Sequence, residues 1–285
     1  MRLRGDMGNI SSNDSYTVDL GERVKLRKRL GTILWRISRS SMVDPVTRYL
    51  DLYNEDGLIS MHNHDFIRDP AFIAAYERGM GSPPRIQEPL VVARRGFEIR
   101  WRLHVCLWAA SHAIQLPGSF VECGVNLGFL SLAIMQYLDW NSRDTHFYLF
   151  DTFCGLDETQ LSAEEILLGR LAHSRESYPE CFEQVKKNFQ SFSNFTLVRG
   201  SVPSTLNDVY IEAVSYLSID MNCAEPELQA AEFFWPKLVS GGIVLIDDYG
   251  HRGYEPEWRA FDEFAREKQI GILSLPTWQG LIIRP

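Results

Sequence analysis

Four apolar runs in this 285-residue chain end on an acid, and those acids are where chemistry is expected. Phe120-Val121-Glu122, Phe147-Tyr148-Leu149-Phe150-Asp151, Tyr216-Leu217-Ser218-Ile219-Asp220 and Gly242-Ile243-Val244-Leu245-Ile246-Asp247-Asp248 each read as a buried strand delivering a carboxylate to its C-terminal end. Asp220, Asp247 and Asp248 end strands expected to be neighbours. Carboxylates brought together repel unless a cation neutralises them or one is protonated. An oxygen-only donor set suits a hard ion, most simply Mg²⁺. Asp220 is one candidate base, and His251, three residues beyond Asp248, is close enough to reach the same rim and serve as another.

A second group of residues suits a cofactor. Glu122-Cys123-Gly124-Val125-Asn126-Leu127-Gly128 is a glycine-containing turn that opens a helix, so the backbone can approach a ligand and the helix start offers free N–H groups. Its spacing is not that of the G-x-G-x-x-G fingerprint, which argues against a nicotinamide or flavin cofactor. The acid at its start attracts a cationic ligand, such as an amino group or a sulfonium. Asp151, followed by Thr152, stands where a carboxylate accepts hydrogen bonds from ribose hydroxyls, the alternative being a cap for the next segment. Gly200 and Ser201, in Arg199-Gly200-Ser201-Val202-Pro203, suit an adenine edge or an ordinary turn. His62 and His64 resemble a metal pair only in spacing and read as hydrogen-bonded loop residues.

The elements that must position these residues form an α/β pattern. Strands are expected near 119–123, 146–151, 195–199, 215–220, 242–247, 271–275 and 280–284, with helices at 127–140, 177–190, 204–213, 226–239 and 256–268. Right-handed crossovers between parallel strands put all their C-terminal ends on one rim, where open α/β sheets bind ligands. The last two strands are joined only by Pro276-Thr277-Trp278-Gln279-Gly280, too short for a crossover helix, so they must be antiparallel. Residues 118–285 thus form the main domain, 21–117 a helical cap or substrate-specificity region, and 1–20, polar and Ser/Asn-rich, a flexible arm. Within the cap, helices are expected over 26–37, around 72–76 and from 96 to 114, with no strong strand pattern.

Composition narrows the function classes. A net charge of -8 and a pI near 5.4 exclude a general nucleic-acid binder, and the basic run Arg23 to Arg29 reads as a solvated helix face. No apolar run reaches the ~18 residues of a membrane span, and the first residues lack the apolar core of a secretion signal, so a cytoplasmic protein without a membrane is expected. Cys106, Cys123, Cys154, Cys181 and Cys223 make no CxxC pair and fit reduced packing residues.

Taken together, Phe120 to Val125, Tyr148 to Leu156, Gly200 to Leu206 and Gly241 to Tyr249 resemble the macrocin O-methyltransferase (TylF-type) family. The resemblance implies a Rossmann-like class I methyltransferase fold: a seven-stranded, mostly parallel sheet with a C-terminal antiparallel hairpin, preceded here by the helical cap. It implies S-adenosylmethionine and Mg²⁺ as cofactors, with Glu122 and Gly124 at the methionine end, Asp151 on the ribose and Gly200-Ser201 near adenine. Asp220, Asp247 and Asp248 would hold the metal, and Asp220 would also be a base. The acceptor would be a small-molecule hydroxyl, as on a sugar or diol of a natural product. The run Asp220-Met221-Asn222-Cys223-Ala224-Glu225-Pro226 departs from the family, which commonly carries a second acid and a tyrosine there. A nicotinamide-dependent oxidoreductase and a catalytically silent binding module are the rival readings. The apolar stripes of the cap fit a homodimer as well as a monomer.

Overall fold

Strands dominated by apolar residues stack at the centre of the sheet, as burial on both faces requires. The computed structural model describes residues 53–81 and 99–285. The expected arm at 1–20, the basic run and the helix over 26–37 lie outside the described residues, as does the start of the helix expected from 96. Residues 53–285 belong to one compact unit, which opens with a hairpin of β1 (Tyr53–Glu55) and β2 (Leu58–Ser60), followed by helix α1 (Pro70–Met80). Helix α2 (Arg100–Ala113) leads into β3 (Ser119–Cys123), and α3 (Phe129–Tyr137) into β4 (Phe147–Asp151). Three short helices follow, α4 (Ala163–Leu167), α5 (Arg170–Ser177) and α6 (Phe182–Phe189), and then β5 (Phe195–Arg199). The chain continues through β6 (Val214–Ile219), α7 (Ala224–Phe234), β7 (Leu238–Ile246) and α8 (Glu255–Lys268) to β8 (Leu273–Ser274) and β9 (Gly280–Ile283).

The seven-stranded sheet runs β5-β4-β3-β6-β7-β9-β8. β5, β4, β3, β6 and β7 pair in parallel, and β9 pairs antiparallel with both β7 and β8. The expected sheet, parallel with a terminal antiparallel hairpin, is therefore what forms. Two apolar layers cover it. One face packs α1, α2 and α3 residues such as Phe72, Leu103 and Leu132 against Phe120, Phe147 and Tyr216. The other packs Phe234, Phe261 and Phe264 against Val121, Leu217 and Val244. Alternation of inward residues along β3, with Phe120 in one layer and Val121 in the other, is the period-two geometry of a strand covered on both faces.

Several expectations need correction. The stretch expected to hold no strand contains the β1–β2 hairpin, whose Asp56-Gly57 turn has φ of 50° and 72°. Two positive φ values in a two-residue turn match strand twist, and Asp-Gly is a dipeptide that supplies them. Residues 204–213 are turns and not a helix. Their backbone bonds, Leu206 N–H to the Pro203 carbonyl and Asp208 N–H to that of Thr205, close single three-residue turns. The helix expected over 177–190 is split, with α5 ending at Ser177 and α6 starting at Phe182, because Pro179 forces the residue before it out of the helical region. The helix expected from 127 starts after Gly128, which sits at φ 88°.

Candidate active site

Parallel pairing brings the strand ends level. The Gly124 N–H donates to the Phe150 carbonyl, that of Asp220 to Cys123, and that of Asp247 to Ile219, at 2.8 to 3.0 Å, so the rim carries the ladder one residue past the strands. Gly124 shows why only glycine serves there. At φ +94°, an added Cβ would lie 1.8 Å from the Asp220 carbonyl oxygen.

One cleft crosses this rim. Glu122, Gly124, Asp151, Thr152, Gly200 and Ser201, the six residues singled out for a cofactor, all line it, together with Asp220 and Asp247. Glu122 is 2% exposed, and its Oε2 has no hydrogen-bond partner among the described residues. Burial pushes its carboxyl up to about 8. A buried acceptor without a donor fits a cationic ligand group arriving from the cleft. Asp151 is different. Its Oδ2 accepts from the Val125 and Asn126 N–H groups at 2.6 and 2.7 Å, and its Oδ1 from Phe153 N–H at 2.6 Å, so it also braces the glycine turn. The Thr152 hydroxyl stands 3.4 Å from Oδ1 but donates more closely to the Gly155 carbonyl, so a ligand hydroxyl can take that second position on Oδ1.

Beside Glu122 stands the acid triad. Asp220, Asp247 and Asp248 each offer an oxygen within 4.8 Å of the others. Burial raises the Asp220 carboxyl well above its ordinary range, and Asp247 and Asp248 add to the shift; Asp248, for the same reasons, reaches about 7. Three hard oxygen donors, whose crowding and burial disfavour charge unless a cation neutralises it, are a donor set fit for a small divalent cation. His251 is not among the residues lining that cleft, though the charges of Arg102 and Asp56 reach it. It lines a second, shallow depression with Tyr249, Arg252 and Glu255, stacks edge-on to Trp278 at 4.2 Å, and its Nδ1 bonds the Arg252 carbonyl at 2.7 Å. His62 and His64 pack near the rings of Trp101 and Tyr53 and join no acid cluster among the described residues.

Residues that sequence reasoning passed over complete the site. Arg102, on α2, bonds Asp247 through Nη1 and lies 3.5 Å from Asp248 Oδ1 and, through Nε, 3.3 Å from Asp56 Oδ2. The signal existed: Ile99, Arg102, Leu103 and Cys106 share one helical stripe, and an arginine on a buried stripe implies a buried acid. Gln279 Nε2 donates to Asp247 Oδ1 at 3.1 Å, its own Oε1 taking the Thr277 hydroxyl at 2.9 Å. Asn222 Nδ2 donates to Asp220 Oδ1 at 3.2 Å, and the Tyr254 hydroxyl donates to Asn222 Oδ1 at 2.7 Å. An amide and a distant tyrosine thus stand where the family's usual acid and tyrosine do not.

The sequence profile of the macrocin-O-methyltransferase (TylF) family matches residues 86–273, well over half of the chain. The chain belongs to the macrocin-O-methyltransferase (TylF) family. It is accordingly an S-adenosylmethionine-dependent O-methyltransferase, and the oxidoreductase reading falls away. Among solved structures, the O-methyltransferase NovP resembles this TylF-family chain with a TM-score of 0.62 at 20% identity, over 78% of this chain and 99% of that one, a likeness of fold. The calicheamicin methyltransferase CalS11 gives a TM-score of 0.49 at 15% identity, over 98% of this chain and 99% of that one. No curated protein sequence matches. Among the described residues, no helix is long and apolar enough to cross a membrane.

The buried acids have a consequence for stability. Glu122 and Glu227 are raised to about 8, Glu257 to about 10 and Asp248 to about 7, in each case chiefly by burial. Between its ordinary value and its raised one, each group is neutral in the folded protein and ionised in the unfolded chain. The folded state then binds more protons, so stability falls as pH rises through that window. Melting of the metal-free, cofactor-free protein is expected to move to lower temperature between pH 5 and pH 8; a rising profile would contradict the burial of these acids as neutral groups.

Proposed function

We propose that this chain methylates a hydroxyl of a small molecule, a sugar or vicinal diol of a natural product, with S-adenosylmethionine along Glu122, Gly124, Asp151, Thr152, Gly200 and Ser201 and Mg²⁺ held by Asp220, Asp247 and Asp248. The observation that carries this reading is that one cleft is lined at once by the cofactor residues and by Asp220 and Asp247. S-adenosylmethionine supplies an electrophilic methyl on a sulfonium. A divalent cation supplies charge that lowers the pKa of acceptor hydroxyls and fixes their direction.

The chain's residues divide the remaining work. Glu122, buried and with its Oε2 unpartnered among the described residues, holds the cofactor's amino group. Asp151 turns Oδ1 to the ribose, in place of its long contact with the Thr152 hydroxyl, and keeps the glycine turn rigid through its backbone bonds. Displacement at a methyl requires oxygen, carbon and sulfur nearly in line, and the apolar layers that fix the rim provide that precision. Asp220 is the base of choice over His251, because it lines the cleft while His251 lines a separate depression. With Oδ1 of Asp220 held by Asn222, Oδ2 is the atom that takes the hydroxyl proton. Sugar hydroxyls are favoured because the family's members, as the resemblance implies, act on antibiotic sugars.

Labelled-methyl transfer to a panel of sugar and diol acceptors tests this reading. Turnover is expected to vanish in excess chelator and return with Mg²⁺. Equal rates in both conditions would sink the metal role.

A further inference from the structure

Arg102 places a positive charge where the proposed cation would bind. Its Nη1 is bonded to Asp247 Oδ2 and lies 3.5 Å from Asp248 Oδ1, so it touches two of the three acids of the triad. The other Asp247 oxygen, Oδ1, accepts from Gln279. Both oxygens of Asp247 are therefore engaged by donors of the chain itself. These side chains are nearly closed to solvent, at 10% for Arg102, 8% for Asp247 and 14% for Asp248, so water screens the guanidinium weakly. Yet Arg102 does not balance the cluster. Against Arg102, and Arg170 acting on Asp248 from farther off, stand Asp56, Asp220, Asp247 and Asp248, an excess of acid that leaves charge for a dication to neutralise.

Asp56 gives the arginine a second place to rest. It projects from the β1–β2 turn, and its Oδ2 lies 3.3 Å from Arg102 Nε. The turn is pinned against the β8–β9 connection: a Cβ at Gly57 would lie 2.1 Å from the Trp278 ring, and the Arg102 guanidinium lies 5.6 Å from a Trp278 ring centroid. A guanidinium has separate N–H groups in a fixed fork, so Nε can keep Asp56 while Nη1 lets go of Asp247.

We propose that Arg102 is the built-in counter-ion of the acid triad, that it competes with the divalent cation for Asp247 and Asp248 and so sets the affinity of the metal site, and that Asp56 retains its guanidinium when the cation binds. This inference rests on the metal site of the proposed function. It makes metal loading an exchange of one cation for another, with the hairpin as the place where the displaced charge is kept.

Mn²⁺ titration of the full-length chain without cofactor or acceptor, following the free Mn²⁺ signal by electron paramagnetic resonance, tests it. Arg102→Gln is expected to bind Mn²⁺ at least about tenfold more tightly than the wild type, because a like charge leaves the site. The same variant should melt at lower temperature without metal and regain that loss on adding Mn²⁺, since the unpaired buried acids then find a partner. Asp56→Asn, which leaves the triad and Arg102 intact, is expected to weaken Mn²⁺ binding by several-fold, and it decides the matter if Arg102→Gln does not fold. Arg102→Gln with wild-type or weaker affinity, or Asp56→Asn with unchanged affinity, would overturn the proposal while leaving the metal site standing. Absence of Mn²⁺ binding in wild type and variants alike would overturn the metal site and this inference together.

Discussion

Replacing Asp220 with asparagine is expected to slow methyl transfer by on the order of a thousandfold while leaving cofactor binding intact. The substitution preserves shape, so a side-chain oxygen can still accept from Asn222 Nδ2, 3.2 Å from Oδ1 in the native protein. It removes the proton acceptor and one charge of the triad. It does not touch Glu122 or Asp151, which lie on other strands, so calorimetric affinity for S-adenosylhomocysteine should stay within a few-fold of wild type. Because burial and two neighbouring acids raise the Asp220 carboxyl, the neutral amide relieves repulsion, and the variant should melt no lower than the wild type in the absence of metal. A rate within tenfold of wild type would remove Asp220 from the role of base.

The second large effect is expected at Glu122. Exchanging it for glutamine removes a carboxylate that is 2% exposed and has one oxygen with no partner among the described residues. A hydrogen bond to a charged group contributes about 1.5–3 kcal/mol, so cofactor affinity should fall by roughly ten- to a hundredfold or more. A proton signature accompanies the loss. Burial raises the free carboxyl to about 8, so at pH 7 a cationic ligand must displace its proton, and the measured enthalpy should depend on the ionisation heat of the buffer. In Glu122→Gln that dependence should disappear. Unchanged affinity, together with unchanged proton release, would place the amino group of the cofactor elsewhere.

How much of this was legible in the sequence differs from element to element. Strands β3, β4, β6 and β7 were plain because a buried parallel strand has almost no polar interior, and an acid at its end marks where the chain leaves the core. The terminal hairpin was equally plain, since five residues cannot carry a crossover. The cleft followed from those two facts, and all six cofactor candidates line it.

The misses have physical causes. Residues 204–213 carry Asn207 and Asp208 amid apolar residues, and hydrogen bonding of turns there outweighed helical periodicity. The hairpin at 53–60 has strands of three residues each, too short for alternation to register, although Asp56-Gly57 signalled the turn. Arg102 escaped because an arginine on an amphipathic helix is read as solvent-facing by default, whereas its partners Asp56 and Asp247 are 46 and 145 residues away in sequence. His251 follows Asp248 closely in sequence, and the turn after β7 packs its ring against Trp278, whose ring lies 5.6 Å from the Arg102 guanidinium. Sequence proximity fixed the region and not the direction of the side chain.

The acid triad joins the cofactor cleft to the proposed chemistry. Crystals of the protein with S-adenosylhomocysteine and Mn²⁺, measured at an energy where manganese scatters anomalously, test it most directly. The account predicts an anomalous peak between Asp220, Asp247 and Asp248, with oxygen ligands from all three and the Arg102 guanidinium withdrawn from Asp247 toward Asp56. Clear density for S-adenosylhomocysteine with no manganese peak at those acids would contradict it.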